Sequence, residues 1–303
     1  MATVQLGSVE RVVLFDEHVF GRSARCDTQV QDEGTSSRHA LIYWDGALWR
    51  VRDLGSTNGT ILDGQALSVG DTPALAVGSK ICWGGEEETS VLDLLPPNPS
   101  ALSLDSPLIC TGTASLVLVP SEEEPDASFV LQNKTQWWFE HAGKQTPVVD
   151  GDVVQWKGQR LRLFAGRGLG ATQVAEQALT LSDVFFDFRV SLDEEHVRLS
   201  LRHDGGSLDL GSRAHHYTTL QLARLRQADA RLGQAPDSSH GWIDGQELMR
   251  QLGSSETKLS VEVCRIRSQL AKLGISDAAD VIERRRGTRQ LRLGTARFEI
   301  TRE

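Results

Sequence analysis

From Val9 to about Leu95, short apolar segments alternate with polar positions, and pairs of small polar residues separate them. Segments such as "ERVVLF", "HALIYW" and "LWRVRDL" show this alternation, and none has the period of a helix. Alternation at every second residue gives a strand one apolar face, and the intervening glycine, aspartate and asparagine pairs favour turns. The pattern therefore predicts an all-β sandwich over residues 1–95.

The stretch "LLPPNPSALSLDSP" interrupts this pattern with four prolines. Proline cannot donate a hydrogen bond to a sheet and favours extended chain, which predicts a linker. Strand-like segments then return, among them "SLVLVP" and "QWWFEHAG". We therefore expect residues 96–183 to hold a linker and a β-rich middle segment, with Trp137, Trp138 and Trp156 in its core.

The last part of the chain, residues 184–303, changes from strands to helices. From Val184 to Gly211 apolar and polar residues alternate as in an antiparallel sheet, and helical periods begin only after Arg213. Three helices follow, the second capped by Asp244 at its start, and the last residues predict a hairpin with a basic tip. Gly233 and Gly253 are expected to end the first and second helices. This order of elements predicts an α+β winged helix with an N-terminal antiparallel sheet.

Charge is unevenly distributed along the chain, whose formal net charge is −9. Residues 212–303 hold 16 basic and 11 acidic side chains, a balance of +5, whereas the remaining residues have a balance of −14. A basic segment on an acidic body indicates an anionic partner at that end.

Composition also argues against several classes of function. No apolar run approaches the roughly 18 residues of a membrane span, so we expect a cytoplasmic protein without membrane contact. The four cysteines show no metal-ligand spacing, which favours free thiols and no metal site.

We interpret His215-His216 as capping or core residues, because adjacent histidines point to different faces of a helix. No nucleophile and base set and no mononucleotide loop occurs, so we expect no enzyme and no cofactor.

Three motifs of the N-terminal region lie where strands end: "FGRSARCD", "TSSRHALI" and "DLGSTNGT". A single β-sandwich can bring such loops together at one edge. Arg22 offers a planar fork for a doubly charged oxyanion, and Ser36 adds a hydroxyl donor. Thr57 and Asn58 can donate to or accept from a bound backbone, which indicates an anion-binding or peptide-binding edge.

These three motifs, in this order, resemble those of the forkhead-associated (FHA) domain, a β-sandwich whose loops bind phosphothreonine peptides. The resemblance covers about residues 5–95 and implies that Arg22, Ser36 and Asn58 contact the phosphopeptide. It also implies that Arg38 and Thr57 line the pocket and that His39 braces the loops. The family often has a basic residue where this chain has Ser37, so the pocket is expected to be less positive. The implied partners are a phosphothreonine protein and its Ser/Thr kinase.

The C-terminal region resembles the DNA-binding domain of the OmpR/PhoB type over residues 184–303. The resemblance implies that Glu262, Arg265 and Arg267 of the third helix meet DNA. It places the wing around Arg286, and we count the run Arg284, Arg285 and Arg286 with the DNA contacts. The family commonly has basic residues where this chain has Ser268 and Gln269. The logarithm of a DNA-binding constant falls linearly with the logarithm of the salt concentration, and each lost phosphate contact makes this slope shallower by about 0.9. Weaker duplex binding is therefore expected.

Together these observations predict a multidomain protein with two alternative functions. In the first, the FHA-type domain binds a phosphorylated partner and the winged helix acts as a transcriptional output on double-stranded DNA. In the alternative, the protein is a phospho-dependent adaptor whose winged helix binds no DNA. The middle segment faintly resembles the closing strands of an FHA fold but lacks its motifs.

Overall fold

The computed structural model describes residues 1–7, 10–166, 179–233, 236–285 and 287–303. The chain divides into two compact units. The first is built on residues 1–98, and the second contains residues 99–165 and the described residues after 178.

The described part of the first unit is a sandwich of two sheets. Its strands are β1 (Ala2–Leu6), β2 (Glu10–Leu14), β3 (Glu17–Gly21), β4 (Thr28–Gln29), β5 (Ala40–Trp44), β6 (Trp49–Asp53), β7 (Ile61–Leu62), β8 (Gln65–Ala66), β9 (Lys80–Cys82) and β10 (Glu88–Leu94). One sheet has the order β2-β1-β10-β9-β7-β8 and the other the order β4-β3-β5-β6. The first strand pairs antiparallel with the last, so that Ala2 lies opposite Leu94.

The core of this sandwich lies between the two sheets, as the alternation predicts. In β1 the buried residues are Ala2, Val4 and Leu6, and half-buried residues lie between them. Phe20 and Trp83 stack with their ring centroids 4.7 Å apart, and both rings are fully buried. Aromatic burial of this size contributes much of a small core's stability.

The second unit begins with another sandwich. Its strands are β11 (Ser100–Ser103), β12 (Ile109–Thr111), β13 (Leu116–Val119), β14 (Ala127–Gln132), β15 (Gln136–His141), β16 (Lys144–Val148), β17 (Val153–Trp156) and β18 (Gln159–Phe164). The sheets have the orders β12-β11-β18-β17 and β13-β14-β15-β16. Here too the first strand pairs antiparallel with the last, with Ser100 opposite Phe164. Trp137, Trp138 and Trp156 are buried, as expected for core residues.

The rest of the second unit combines sheets and helices. Its strands and α-helices are β19 (Phe185–Val190), β20 (Val197–His203), β21 (Gly206–Ser212), α1 (Ala214–Leu232), β22 (Ile243–Asp244), α2 (Gly245–Leu252), α3 (Glu256–Lys272), β23 (Ile282–Arg284), β24 (Gln290–Leu293) and β25 (Phe298–Arg302). The sheets have the orders β21-β20-β19-β25 and β22-β24-β23. The last strand pairs in parallel with β19.

The predicted helix ends are confirmed. The side chain of Asp244 accepts a hydrogen bond from the amide of Gln246 and caps α2. Gly233 and Gly253 follow α1 and α2 in the left-handed conformation, which glycine adopts without a steric penalty. Among the described residues, no helix is both long enough and apolar enough to span a bilayer.

Strand β13 is buried on both of its faces. Val117 and Val119 belong to the core between the sheets of the middle sandwich. Leu116 and Leu118 belong to a second cluster on the outer face, where Cys264 of α3 packs against them. This explains why "LVLV" is apolar throughout instead of alternating. The helix α3 therefore covers the outer face of the middle sandwich.

Candidate functional site

The three N-terminal loop motifs meet at one edge of the first sandwich. The amide of Arg22, just after β3, donates to the carbonyl of Ser36 at 2.9 Å. The amide of Thr57, between β6 and β7, donates to the hydroxyl of Ser36 at 2.9 Å. The side-chain amide of Asn58 donates to the carbonyl of Gly34 at 2.9 Å. The structure thus brings Arg22, Ser36, Thr57 and Asn58 into one constellation.

The charged side chains of this edge face solvent. Arg22 is exposed, and its Nε donates to the carbonyl of Thr35 at 3.1 Å. Ser37 and Arg38 are also exposed, on the same loop as Ser36. In the part of the chain that is described, no hydrogen bond or ion pair engages the terminal nitrogens of Arg22. Its fork is therefore available to an anion from outside.

Buried His39 connects two of the loops. Its Nδ1 accepts a hydrogen bond from the amide of Ser36 at 3.1 Å. A neutral ring that accepts at Nδ1 carries its proton at Nε2, which lies 3.2 Å from the carbonyl of Gly59 and donates to it. Burial lowers the pKa of His39 below 6.5 and favours this neutral form. His39 therefore positions Ser36 without reaching the solvent.

Asp53, which the sequence reasoning assigned no role, organises the loop that carries Thr57 and Asn58. Its carboxylate accepts the amides of Gly55 and Ser56, both at 2.7 Å. It also accepts the hydroxyls of Ser56 and Thr60, both at 2.6 Å. Burial raises the pKa of Asp53, but these hydrogen bonds outweigh burial and lower it to about 2. An aspartate followed by small polar residues is the sequence signal for such a turn.

Glycine is required at this edge for two different reasons. At Gly21 a β-carbon would lie 2.5 Å from the carbonyl oxygen of Ser37, so the backbones of two loops approach too closely for a side chain. Gly55 and Gly59 have φ of +85° and +77° with open space around them. These two glycines allow the turn and do not mediate a close contact.

The FHA domain family model matches residues 18–84. This region is an FHA domain. The FHA domain-containing protein At4g14490 of Arabidopsis thaliana is 40% identical over 63 residues, which are 21% of this chain and 16% of that protein. The FHA domain-containing protein FhaB of Mycobacterium tuberculosis is 43% identical over 54 residues, which are 18% of this chain and 35% of that protein. The matched region thus spans well under half of either relative.

Two solved structures are similar to the same region. One comes from a structural and functional analysis of phosphothreonine-dependent FHA domain interactions; it is 32% identical, with a TM-score of 0.27 over 30% of this chain and 94% of that one. The other is the FhaA FHA domain complexed with the intracellular domain of Rv3910; it is 33% identical, with a TM-score of 0.28 over 30% of this chain and 99% of that one. Both leave most of this chain uncovered.

The middle sandwich differs from the FHA domain at the corresponding loop. In the FHA domain β3 ends at Gly21 and Arg22 follows, whereas in the middle sandwich β13 is followed by Pro120, Ser121 and Glu122. An acidic loop replaces the arginine, so this edge has the wrong charge for a phosphate. The relationship of the middle segment to the FHA fold stays a prediction.

Of the residues expected to meet DNA through α3, two are buried. Arg267 is fully buried; it donates to Glu140 of β15 at 2.8 Å and to the carbonyl of Ile282 at 2.8 Å. Glu262 is 7% exposed and accepts the hydroxyl of Thr218 in α1. This corrects the expectation for Arg267 and Glu262, because their charged groups already have partners inside the second unit. Arg265 is exposed, as expected.

The arginines of the β23–β24 hairpin have different surroundings. Arg284 is largely buried, and its Nε lies 3.5 Å from Glu140, so it too faces the interior. Arg285 is exposed and lies over the ring of Trp242, with its Cζ 4.8 Å from the ring centroid. Arg286 lies outside the described residues. Of the three, only Arg285 is therefore seen at the surface.

Glu140 is the centre of this buried ion cluster, and no site prediction included it. Burial raises the pKa of Glu140, but Arg267 and Arg284 outweigh burial and lower it to about 2. Its position at the end of "QWWFE" marks it as the one acid in an apolar strand. Such an acid is typically paired, but sequence cannot name the partner, which lies 127 residues away.

The adjacent histidines His215 and His216 lie between two helices. Nε2 of His215 and Nε2 of His216 lie 2.8 and 2.9 Å from the side-chain oxygen of Gln269, so this pair serves packing between α1 and α3. Within the described ranges, no group of three or more His, Cys, Asp or Glu side chains is arranged to hold a metal ion. Likewise the four cysteines are free thiols, with Cys110 and Cys264 buried.

Proposed function

We propose that the FHA domain binds phosphothreonine in a partner protein that a Ser/Thr kinase has modified. The observation that supports this most directly is the exposed edge where Arg22, Ser36 and Asn58 converge. His39 and Asp53 hold the loops of that edge from behind. A preformed site of this kind loses little conformational entropy when a peptide binds.

Charge explains why the phosphate would matter. Phosphothreonine carries about −1.5 to −2 charges at neutral pH, and an arginine fork pairs with such an oxyanion through two hydrogen bonds. The Ser36 hydroxyl oxygen already accepts the amide of Thr57, and its proton has only a long 3.4 Å contact with Thr57 Oγ1. That proton can turn to the phosphate. An unmodified threonine would leave both donors without a partner.

The test uses the whole protein. A phosphopeptide array identifies a bound sequence, and calorimetry then measures its affinity with and without the phosphate. Arg22→Ala should reduce the affinity by about 2–5 kcal/mol, because it leaves the phosphate charge unpaired. Arg25→Ala, an exposed arginine of the same loop, is the matched control and should have little effect. Equal affinities for the wild type and Arg22→Ala would refute the assignment.

We further propose that the second unit acts through protein contacts, which makes the chain a phospho-dependent adaptor. The observation in favour is that the middle sandwich covers α3, with Arg267 and Glu262 buried. A recognition helix must present such residues to the major groove. In this arrangement Arg267 and Glu262 are not presented to a duplex.

The other candidate is a transcriptional regulator with a winged-helix output. The order of sheet, three helices and hairpin supports it, as do the exposed Arg265 and Arg285. Duplex binding by the full chain at several salt concentrations separates the two. The adaptor predicts no specific binding, and the logarithm of the binding constant should then hardly change with the logarithm of the salt concentration. A clear slope that shrinks in Arg265→Gln or Arg285→Gln would favour the regulator.

A further inference from the structure

A cleft of about 290 Å³ lies within the second unit, far in sequence from the FHA loops. Four elements line it: the turn between β15 and β16, the start of α2, the start of α3 and the β23–β24 hairpin. Clefts where several elements meet are the usual place for small-ligand sites. This volume has room for roughly ten water molecules, which suits a small ligand.

Three cationic side chains line this cleft from three separate segments. Lys144 comes from β16, Arg284 from the end of β23 and Arg289 from the hairpin loop. Lys144 and Arg289 are exposed, and no ion pair to the described residues neutralises either one. Like charges converge at some electrostatic cost unless an anion lies between them. The cleft therefore has a positive potential without an evident structural purpose.

The side chain of Arg284 is held in place by burial beside Glu140. Only 11% of its side chain is exposed, and its buried Nε has no hydrogen-bond partner among the described residues. Glu140 lies 3.5 Å from that Nε but makes its closer contact, at 2.8 Å, with Arg267. Sharing one carboxylate leaves the guanidinium of Arg284 incompletely paired. A buried charge with incomplete pairing favours binding of an additional anion.

The other lining groups suit an anion with a small organic part. Gln246 and Ser260 add neutral donors, and Met249 and Leu259 add apolar surface. The lining also contains one acid, Glu256, which lies against the Gly143 turn. Arg284 also shares the carboxylate of Glu140 with Arg267, so these four cations and two acids still leave a positive excess.

We propose that this cleft binds a small diffusible ligand that carries a phosphate or diphosphate group. Lys144, Arg284 and Arg289 contact its oxygens, and Met249 and Leu259 contact its organic part. Ligand bound there touches the middle sandwich, α2, α3 and the hairpin at once. It therefore stabilises the second unit as a whole.

The test uses the full chain carrying Arg22→Ala, so that phosphate binding at the FHA edge is strongly weakened. Inorganic pyrophosphate is titrated by calorimetry and by amide chemical shifts, at constant ionic strength, with sulfate as the comparison anion. We expect saturable binding with shifts at Gly143 and Gln246. Lys144→Gln and Arg289→Gln should each weaken binding by about fivefold or more, since each removes a charge-assisted contact. Lys258→Gln, on the exposed side of α3, should change it by less than about twofold.

Several results would overturn the proposal. One is the absence of saturable binding, and another is equal weakening by Lys258→Gln and Lys144→Gln. Equal binding of sulfate would show an unspecific anion surface. Displacement of pyrophosphate by duplex DNA at lower concentration would show a nucleic-acid surface instead. Because Arg22 is absent throughout, none of these results bears on the FHA proposal.

Discussion

Arg22 was expected to contact a phosphopeptide and Arg267 to contact DNA, yet the two arginines lie in opposite environments. Arg22 is exposed at the edge of the FHA domain, and its Nε donates a hydrogen bond to the carbonyl of Thr35. Arg267 is fully buried and bonded to Glu140 and to the carbonyl of Ile282. The same guanidinium group is open to solvent in one place and belongs to an internal interface in the other. An arginine in a motif therefore indicates an anion without saying whether that anion belongs to the same chain.

The two sandwiches show the same contrast at the level of strands. In the FHA domain, β1 buries every second residue, and the rest of the strand is partly open to solvent. In the middle sandwich, all four residues of β13 are buried. The reason is α3, which packs on the outer face of β13 and its neighbours. A strand covered on both sides is part of the interior, and its residues need no polar face.

The largest expected effect concerns the buried ion cluster. Glu140→Ala should lower the unfolding free energy of the second unit by about 3–5 kcal/mol, because it leaves Arg267 and Arg284 without their shared carboxylate. Urea unfolding followed by tryptophan fluorescence measures it. The matched control is Glu122→Ala, which removes an exposed pair with Lys272 and should cost at most about 0.5 kcal/mol. Equal unfolding midpoints for the two variants would contradict this account of the interface.

A smaller effect is expected at the FHA edge. Asn58→Ala should reduce phosphopeptide affinity by about 1–2 kcal/mol, because it removes an exposed amide that can bind the peptide. Its bond to the carbonyl of Gly34 is also at the surface, so the domain should stay folded. Calorimetry with the array-derived peptide measures the affinity, and circular dichroism checks the fold. If Asn58→Ala unfolds the domain, the residue braces the loops and does not mainly contact the ligand.

The smallest effect is a difference in pH response. Burial lowers the pKa of His39 below 6.5, so the unfolded chain binds more protons as pH falls through 6.5. The free energy of unfolding therefore falls as the pH drops from 6.5 towards the pKa of His39 in the folded domain. Below that pKa, His39 causes no further change. Glu140, with a pKa of about 2, keeps its contribution until pH falls below about 4.5 and loses it towards 2.

Residue-specific NMR is needed to measure this, because the pKa values of His215 and His216 are also lowered by burial. The His39 ring should titrate below pH 6.5, and the amide of Ser36 should shift with it. A midpoint at or above 6.5 would contradict the neutral, bracing role of His39.

Local sequence was sufficient for the FHA edge and for the helix ends. Arg22, Ser36 and Asn58 lie in loops, where residue type follows from turn geometry more than from distant packing. The caps at Asp244, Gly233 and Gly253 depend only on a few neighbouring residues, and all three were predicted. Asp53 could have been predicted from the same kind of signal, since its partners lie within seven residues of it.

The surface of α3 could not be predicted in this way. Its period of three and four residues identified an apolar face with Val263, Ile266 and Leu270, and these residues are buried in the core. Arg267 and Glu262 flank this apolar face; charged side chains there usually reach solvent, yet both are buried. A charged residue can be buried when a distant partner neutralises it, and no local pattern shows that partner.

The sequence by itself determined the β-sandwich of the FHA domain, the polar residues of its loops and the helix caps at Asp244, Gly233 and Gly253. It did so because alternation, capping and turn preferences act over a few residues. Only the tertiary structure decided that the middle sandwich covers α3 and that Glu140 pairs with Arg267. That contact joins residues 127 positions apart, and its energy depends on desolvation and geometry that exist only in the folded unit.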